Sequence, residues 1–312
     1  MTELATATLV REVDLPEPKA ANESPATKVG ADATPTKRGL PRWLRFGLTR
    51  PGLAISVLFL ALVLVACFAP NVLASGDPLA GEPADHLQSP SAAHPFGTDQ
   101  LGRDIYTRVV HGTALSLQAA LVAVSIALVI GGLFGLLAGT IGRWVDEAIM
   151  RFVDVLLAIP GLLLSLALIT ALGYGTLNVA IAVAIGSIAT FSRVSRSETL
   201  KVAQATYVEA ARSVGSRSWT TLRRHILPNA AGPIISLAVL EFGVAILAVA
   251  SLSFLGYGAP PPTPEWGSMV SEGRNYLATS WWLTTLPGLT VAATVLAVNR
   301  VSRALDGEWT RA

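Results

Sequence analysis

Tyr207-Val208-Glu209-Ala210-Ala211-Arg212-Ser213-Val214-Gly215, closed further on by His225-Ile226-Leu227-Pro228, decides how this chain is read. It is the one sizeable internal polar island between strongly apolar runs. Arg193, Arg196, Lys201, Arg212, Arg217, Arg223 and Arg224 stand in or beside it. The pattern predicts a helix, a break at Gly215, where glycine frees the backbone to turn, and a second short helix holding Trp219, Leu222 and Ile226. Ser218 is placed to cap that second helix, and Pro228 to stop it. Alanines 210 and 211 offer a small-residue surface able to sit deep in another protein's cleft, with the charge of Glu209 at one end. The plain alternative is a solvated loop carrying the positive charge that membrane proteins concentrate on one side.

Outward from the hairpin, 52% of the 312 residues are hydrophobic and 14% charged, and mean hydropathy is +0.53. A soluble domain is about one quarter charged, so the apolar excess needs lipid as its solvent and the chain reads as a polytopic membrane protein. The net charge of +2 says little beside the distribution of the basic residues. Cys67, the single cysteine, lies in the first apolar run and has no internal disulfide partner. Residues 1–20 carry acids and prolines where a targeting peptide needs an apolar core.

Residues 1–40 lack Phe, Trp and Tyr and read as a disordered tail, because such a segment buries too little apolar surface to offset its ordering entropy. Lys37 to Phe46 interleaves arginines with Trp43, Leu44 and Phe46, the pattern of a short helix at a membrane surface. Six spans follow: Leu53–Ala69, Leu115–Ile141, Ile149–Leu172 kinked by Pro160, Leu177–Phe191, Ile234–Leu255 and Leu283–Val298. The second is rich in small residues (Gly131, Gly132, Gly135, Gly139), which let helix backbones approach closely in lipid. Among the 23 lysines and arginines, only Arg103, Arg108 and Arg274 fall in the proposed outside segments. The positive-inside rule therefore puts the hairpin and both termini in the cytoplasm.

The ionisable residues within this frame each carry a reading. His94 and the acids near it are ligand types, but no helical His pair or Cys partner supports a metal site. Thr98 and Asp99 are expected to cap a short helix leading into the second span, with Arg103 pairing locally. His86 and His111 read as solvated loop residues. Glu241 falls inside the fifth span, where a charge costs about 2.5–3.5 kcal/mol at the bilayer centre. It either lines a pathway or is a buried carboxyl hydrogen-bonded to a neighbouring helix. Asp154 reads as a structural partner of Arg151 or of a hairpin arginine. The chain has no Gly-x-x-x-x-Gly-Lys phosphate loop, no Gly-x-Ser-x-Gly elbow and no His-Glu-x-x-His helix, so no catalytic constellation is expected.

The order Glu209-Ala210-Ala211, three residues, Gly215, then Leu227-Pro228 resembles the cytoplasmic coupling motif of ATP-binding-cassette import permeases. Two further stretches resemble the second permease subunit of the dipeptide, oligopeptide and nickel branch: His94-Pro95-Phe96-Gly97-Thr98-Asp99-Gln100-Leu101-Gly102-Arg103-Asp104, and Ser253-Phe254-Leu255-Gly256-Tyr257-Gly258 running on to Glu265-Trp266-Gly267. With Asp154 and Pro160 the resemblance covers residues 41–304, and His225 stands where the broader family often has Ile.

The resemblance implies an all-α, type I ABC importer permease with six transmembrane helices and cytoplasmic coupling helices. The implied domains are a tail at 1–40, an interfacial helix and first span at 41–70, an extracytoplasmic segment at 71–112, a core permease domain at 113–304 and a tail at 305–312. It implies peptide import across a bacterial-type cytoplasmic membrane by alternating access. The partners would be a second homologous permease, ATPase subunits and an extracytoplasmic solute-binding protein. This chain would hold no cofactor or metal, and ATP and Mg would bind the ATPase. Glu209, Ala210, Ala211, Arg212, Gly215, Leu227 and Pro228 would contact the ATPase. Two alternatives stand beside it: a nickel or metal-chelate importer of the same branch, and an ion-gradient-driven transporter with Glu241 as proton carrier.

Overall fold

The computed structural model describes residues 51–309. The tail expected at 1–40, the interfacial helix at 37–46 and residues 310–312 lie outside the described residues. Helices α1 (Pro51–Phe68) and α2 (Pro70–Leu73) open the described chain. After a long loop come α3 (Ile105–Ile141), α4 (Arg143–Ala158), α5 (Gly161–Leu172) and α6 (Thr176–Ala203). The hairpin supplies α7 (Thr206–Ser213) and α8 (Ser218–Thr221), and α9 (Leu227–Phe254), α10 (Trp266–Gly273) and α11 (Trp282–Trp309) complete the chain. Among the described residues the only β pairing is two isolated bridges, Gly81 with Arg103 and Thr98 with Asp104.

Five helices are long and apolar enough to cross a membrane: α1, α3, α6, the helix running from Ser218 through α9, and α11. The sixth expected span is broken. Instead of one helix kinked at Pro160, α4 and α5 meet at 93°. Ile159 is extended (φ −98, ψ 128), as a residue before proline is pushed to be, and Pro160 is extended too (φ −54, ψ 129). Two extended residues interrupt a helix where one misplaced hydrogen bond would only bend it. At 1.5 Å per residue the 12 residues of α5 cover about 18 Å of a bilayer core of about 30 Å, so the bent pair makes a sixth span only when α4 and α5 are taken together.

Three other boundaries differ from the sequence reading. Helix α3 starts at Ile105, and its N-cap is Asp104, whose carboxylate accepts from the Thr107 amide at 2.7 Å. Thr98 and Asp99 do not cap it, because the Asp99 carboxylate is taken by the Leu101 amide at 2.8 Å and by Arg103. Helix α6 runs on past Phe191 to Ala203, so Arg193, Arg196 and Lys201 ride on a continuous helix. Pro228 does not stop the second hairpin helix, which continues unbroken from Ser218 to Phe254. A π turn over Leu222–Ile226 brings the Leu227 amide back to the Leu222 carbonyl. That wider turn opens the hydrogen-bond register where Pro228 has no N–H to give and its ring would crowd the previous turn.

The core is assembled around the crossing of α3 and α6. Gly131, Gly135 and Gly139 face α6 so closely that a Cβ on Gly131 would lie 2.7 Å from Phe191 Cβ and one on Gly139 2.7 Å from Thr199 Cγ2. Gly132, on another face, has nothing within 4 Å of that position. Around this seam the central cluster gathers Ala120, Val179, Phe191, Ile246, Leu252 and Trp266 from α3, α6, α9 and α10.

Candidate functional site

The hairpin is a built structure. Val208 is fully buried and joins Val202, Ile226 and Ala230 in a small cluster that ties α7 to the ends of α6 and α9. Helix α7 ends in a paired cap: the Ser216 amide donates to Ala211 O at 3.1 Å and the Gly215 amide to Arg212 O at 2.9 Å. This is the Schellman arrangement, which needs a left-handed residue at its turn, and Gly215 supplies it with φ +87. Ser218 is the first residue of α8, and the residue at its N-cap is Arg217, with no side-chain cap. The expected serine cap is thus displaced by one residue, because Arg217 takes the extended conformation there (φ −64, ψ 142).

The cluster leaves the hairpin's outer surface free. Glu209, Ala210, Arg212, Gly215, Leu227 and Pro228 are exposed and Ala211 is half-buried. Val214 is 89% exposed and Trp219 70%, and Arg212, Arg217, Arg223 and Arg224 of the same hairpin are exposed too. The Tyr207 and His225 rings lie 6.4 Å apart. Exposed aromatic and aliphatic side chains among arginines have the composition of a surface that a partner covers.

Within the helices, Glu241 on α9 is half-buried, and Ser187 of α6 donates to its Oε2 at 3.2 Å. Pro160 stands exposed at the bend between α4 and α5. Asp154 pairs with Arg193 at 2.6 Å, whereas Arg151 turns to Glu147 at 2.5 Å. A second pair that the sequence reading missed joins Arg196 to Asp146.

The end of the molecule remote from the hairpin is closed on itself. Arg103 Nε lies 2.6 Å from Asp99 and Arg108 3.2 Å from Glu272, with cross-contacts of 3.6 Å (Arg103–Glu272) and 3.8 Å (Arg108–Asp99). Glu265 is fully buried at the head of α10. It accepts from the amides of Gly267 (3.0 Å) and Ser268 (2.9 Å) and from Ser116 of α3 (3.3 Å). Burial pushes its carboxyl pKa up, against the pull of those hydrogen bonds. Trp266 donates its indole N–H to Val109 O at 3.0 Å. Nothing in the sequence marked Glu265 as a contact of Ser116, because the two meet only through the fold. His94 Nδ1 lies 3.1 Å from Asp104 and Nε2 3.8 Å from Asp85. Among the described residues no three His, Cys, Asp or Glu side chains are grouped to hold a metal. His111 is not in a loop: it sits on α3, with Nε2 3.1 Å from Ala74 O, because that helix begins earlier than its apolar run.

Long apolar helices around a broken span, with a folded basic hairpin between two of them, define a multi-pass helical membrane protein. The chain belongs to the binding-protein-dependent transport system inner membrane component family, whose model matches residues 131–311. It is 39% identical over 290 residues to the dipeptide transport system permease protein of Alkalihalophilus pseudofirmus, covering 93% of each chain. It is 42% identical over 261 residues to a glutathione transport system permease protein of Pectobacterium atrosepticum, covering 82% of this chain and 85% of the relative. Identity is 43% over 244 residues with the probable D,D-dipeptide transport system permease protein of Escherichia coli K12, covering 78% and 82%. Inward-facing structures of the MetNI methionine ABC transporter match with a TM-score of 0.51 at 18% identity, over 64% of this chain and 96% of theirs. An amino acid ABC transporter crystallised with histidines matches at 0.53 and 17%, over 65% and 94%. At those identities the likeness speaks for the fold, which is that of a type I ABC importer permease.

Proposed function

We propose that this chain is a permease subunit of an ATP-driven importer of peptides, and that the hairpin over residues 206–228 docks into the ATPase. The observation that carries the reading is the hairpin itself: a buried anchor, a glycine-dependent cap and an exposed apolar and arginine-rich outer surface, bearing Glu209-Ala210-Ala211 and Gly215. The peptide class draws its support from relatives named for dipeptide, glutathione and D,D-dipeptide transport. In this reading the hairpin and both termini face the cytoplasm, and the core permease domain spans residues 113–304. ATP and Mg bind in a separate ATPase, a second permease completes the pore, and a solute-binding protein delivers cargo at the opposite end. Ala210 and Ala211 keep the docking face shallow, Glu209 and Arg212 set its charge, and Leu227 and Pro228 form its rim. ATP closing the ATPases favours one arrangement of the spans, so the cavity between permeases changes the side to which it opens. Glu241, held by Ser187, lines that cavity in the membrane, and Pro160 lets α4 and α5 change their angle.

The test is uptake in reconstituted vesicles containing the whole complex. ATP-dependent, vanadate-sensitive peptide uptake is expected. Ala211→Asp and Gly215→Pro should leave insertion intact and separate ATP hydrolysis from transport, since proline is fixed near φ −65 where Gly215 needs +87. Uptake driven by a proton gradient without an ATPase, or normal coupling in a fully assembled Ala211→Asp complex, would overturn the reading.

A further inference from the structure

Helix α4 is an unusual element of this fold because so little apolar packing holds it. Of its residues only Val153 is buried, and its one aromatic contact is Phe152 edge-on to Phe134 of α3 at 6.3 Å. Both of its ends are breaks: Gly142 and Arg143 have φ +68 and +51, and Ile159-Pro160 is extended before the 93° turn into α5. A helix lying between two breaks takes its position from whatever else grips it.

Two arginines of α6 provide the grip. Arg196 meets Asp146 in a two-point pair, Nε to Oδ1 at 2.5 Å and the terminal nitrogen to Oδ2 at 2.6 Å, the geometry in which a guanidinium gives both strength and direction. Three residues earlier on the same helix, Arg193 meets Asp154 at 2.6 Å. On α4 the two carboxylates are eight residues apart, about 12 Å along the axis, so the pairs hold the helix at two separate points and fix its direction as well as its distance. The Arg193–Asp154 pair is exposed and the Arg196–Asp146 pair half-buried, and exposed pairs contribute little by themselves. The second pair therefore carries more of the grip. Helix α6 is continuous from Thr176 to Ala203, and α7 of the hairpin starts at Thr206.

We propose that Arg193, Arg196, Asp146 and Asp154 form a two-point strap that makes the broken span follow the hairpin, so that movement of α7 passes through α6 into α4 and on to the Pro160 bend. The proposal rests on the coupling function assigned to the hairpin, and the four residues are positioning residues within it. Because each pair joins two elements that would otherwise move separately about the breaks, the strap stays closed through the transport cycle.

The experiment uses the complete complex in vesicles, reading peptide uptake per ATP hydrolysed and ATPase co-purification. Arg196→Asp and Asp146→Arg should each lower uptake per ATP about tenfold, with ATPase still bound and hydrolysing. The exchange Asp146→Arg with Arg196→Asp should restore most of it. If charge reversal prevents assembly, Arg196→Gln and Asp146→Asn give the same readout with less disturbance. In a Cys67→Ser background, Arg193→Cys with Asp154→Cys joined by a short bifunctional thiol reagent should transport as well as the unjoined variant. Full coupling in the single charge variants overturns the strap, and so does loss of transport on cross-linking. Ala211→Asp in the same assay keeps the two ideas apart. If it uncouples while the strap variants do not, the strap alone fails; if it stays coupled, hairpin docking fails whatever the strap variants do.

Discussion

Replacing Gly135 by alanine puts one methyl group into the closest part of the α3–α6 crossing. Its Cβ would lie 2.5 Å from Ser195 Cβ and 2.6 Å from the Arg196 backbone nitrogen, and against the Ser192 carbonyl oxygen as well. Ordinary contact begins at about 3.5 Å, and two of the three atoms are backbone, so the helices must separate by about 1 Å. Crowding of that size in a packed core costs about 1–3 kcal/mol. Alanine's better helix propensity returns about 1 kcal/mol. Gly132→Ala is the matched control. It gains the same propensity three residues earlier on the same helix, where a Cβ has open space. The difference between the two variants isolates the steric cost at about 1–3 kcal/mol. At about 2.1 cal/mol/K of unfolding entropy per residue, that is a gap of about 1.5–5 °C in unfolding midpoint for a chain of this length, measured on both proteins purified in the same detergent. Equal midpoints would mean that α3 and α6 do not approach this closely, and the seam on which the fold is built would be wrong.

Glu265→Gln tests the closed end. A buried carboxyl whose pKa is raised in the folded state holds its proton more tightly there than in the unfolded chain. Its contribution therefore lowers stability as pH rises above the unfolded value of about 4.3 and on through the folded one. As pH rises above about 4.3, the unfolding midpoint of the parent protein should fall more steeply than that of Glu265→Gln; parallel curves would contradict the burial of this group. Glu241→Gln should lower peptide uptake several-fold while ATPase association stays unchanged, because the substitution keeps the shape and removes the charge. Uptake and affinity like those of the parent would remove Glu241 from the pathway.

The apolar runs and the polar island were legible because membrane spans and their flanks are written in consecutive residues. Gly215 was legible for the same reason: its φ of +87 serves a cap whose partners, Ala211 and Arg212, lie within a few positions. What the sequence hid depended on partners chosen by the fold. A proline inside an apolar run is compatible with a kink or a full break, and the choice at Pro160 was made by Ile159 also becoming extended. At Pro228 a π turn solved the same problem the other way and kept the helix whole. The Arg196–Asp146 pair lies 50 positions apart and the Glu265–Ser116 contact 149, beyond any helical spacing. For Asp99 and Asp104 the residue type was right for a cap, and competition from Leu101 and Arg103 decided which of the two became one.

The two ends of the molecule handle charge in opposite ways, and the contrast bears on orientation. Counting arginines treats Arg103 and Arg108 as exceptions to a positive-inside arrangement. Both are buried and face Asp99 and Glu272, so this group of four carries no net positive charge into the surroundings. Removing either carboxylate would strand a buried guanidinium, which is far costlier than losing an exposed pair. These arginines are therefore committed to holding α3 against α10. Such internal neutralisation leaves Arg274 as the one exposed basic residue of that end among the described residues. At the hairpin, Arg212, Arg217, Arg223 and Arg224 remain exposed, so their charge reaches the surroundings. The charge asymmetry that supports a cytoplasmic hairpin is thus stronger in the folded chain than in the residue count. The same hairpin also leaves Val214 89% and Trp219 70% exposed, apolar surface beside the solvated arginines in the sequence.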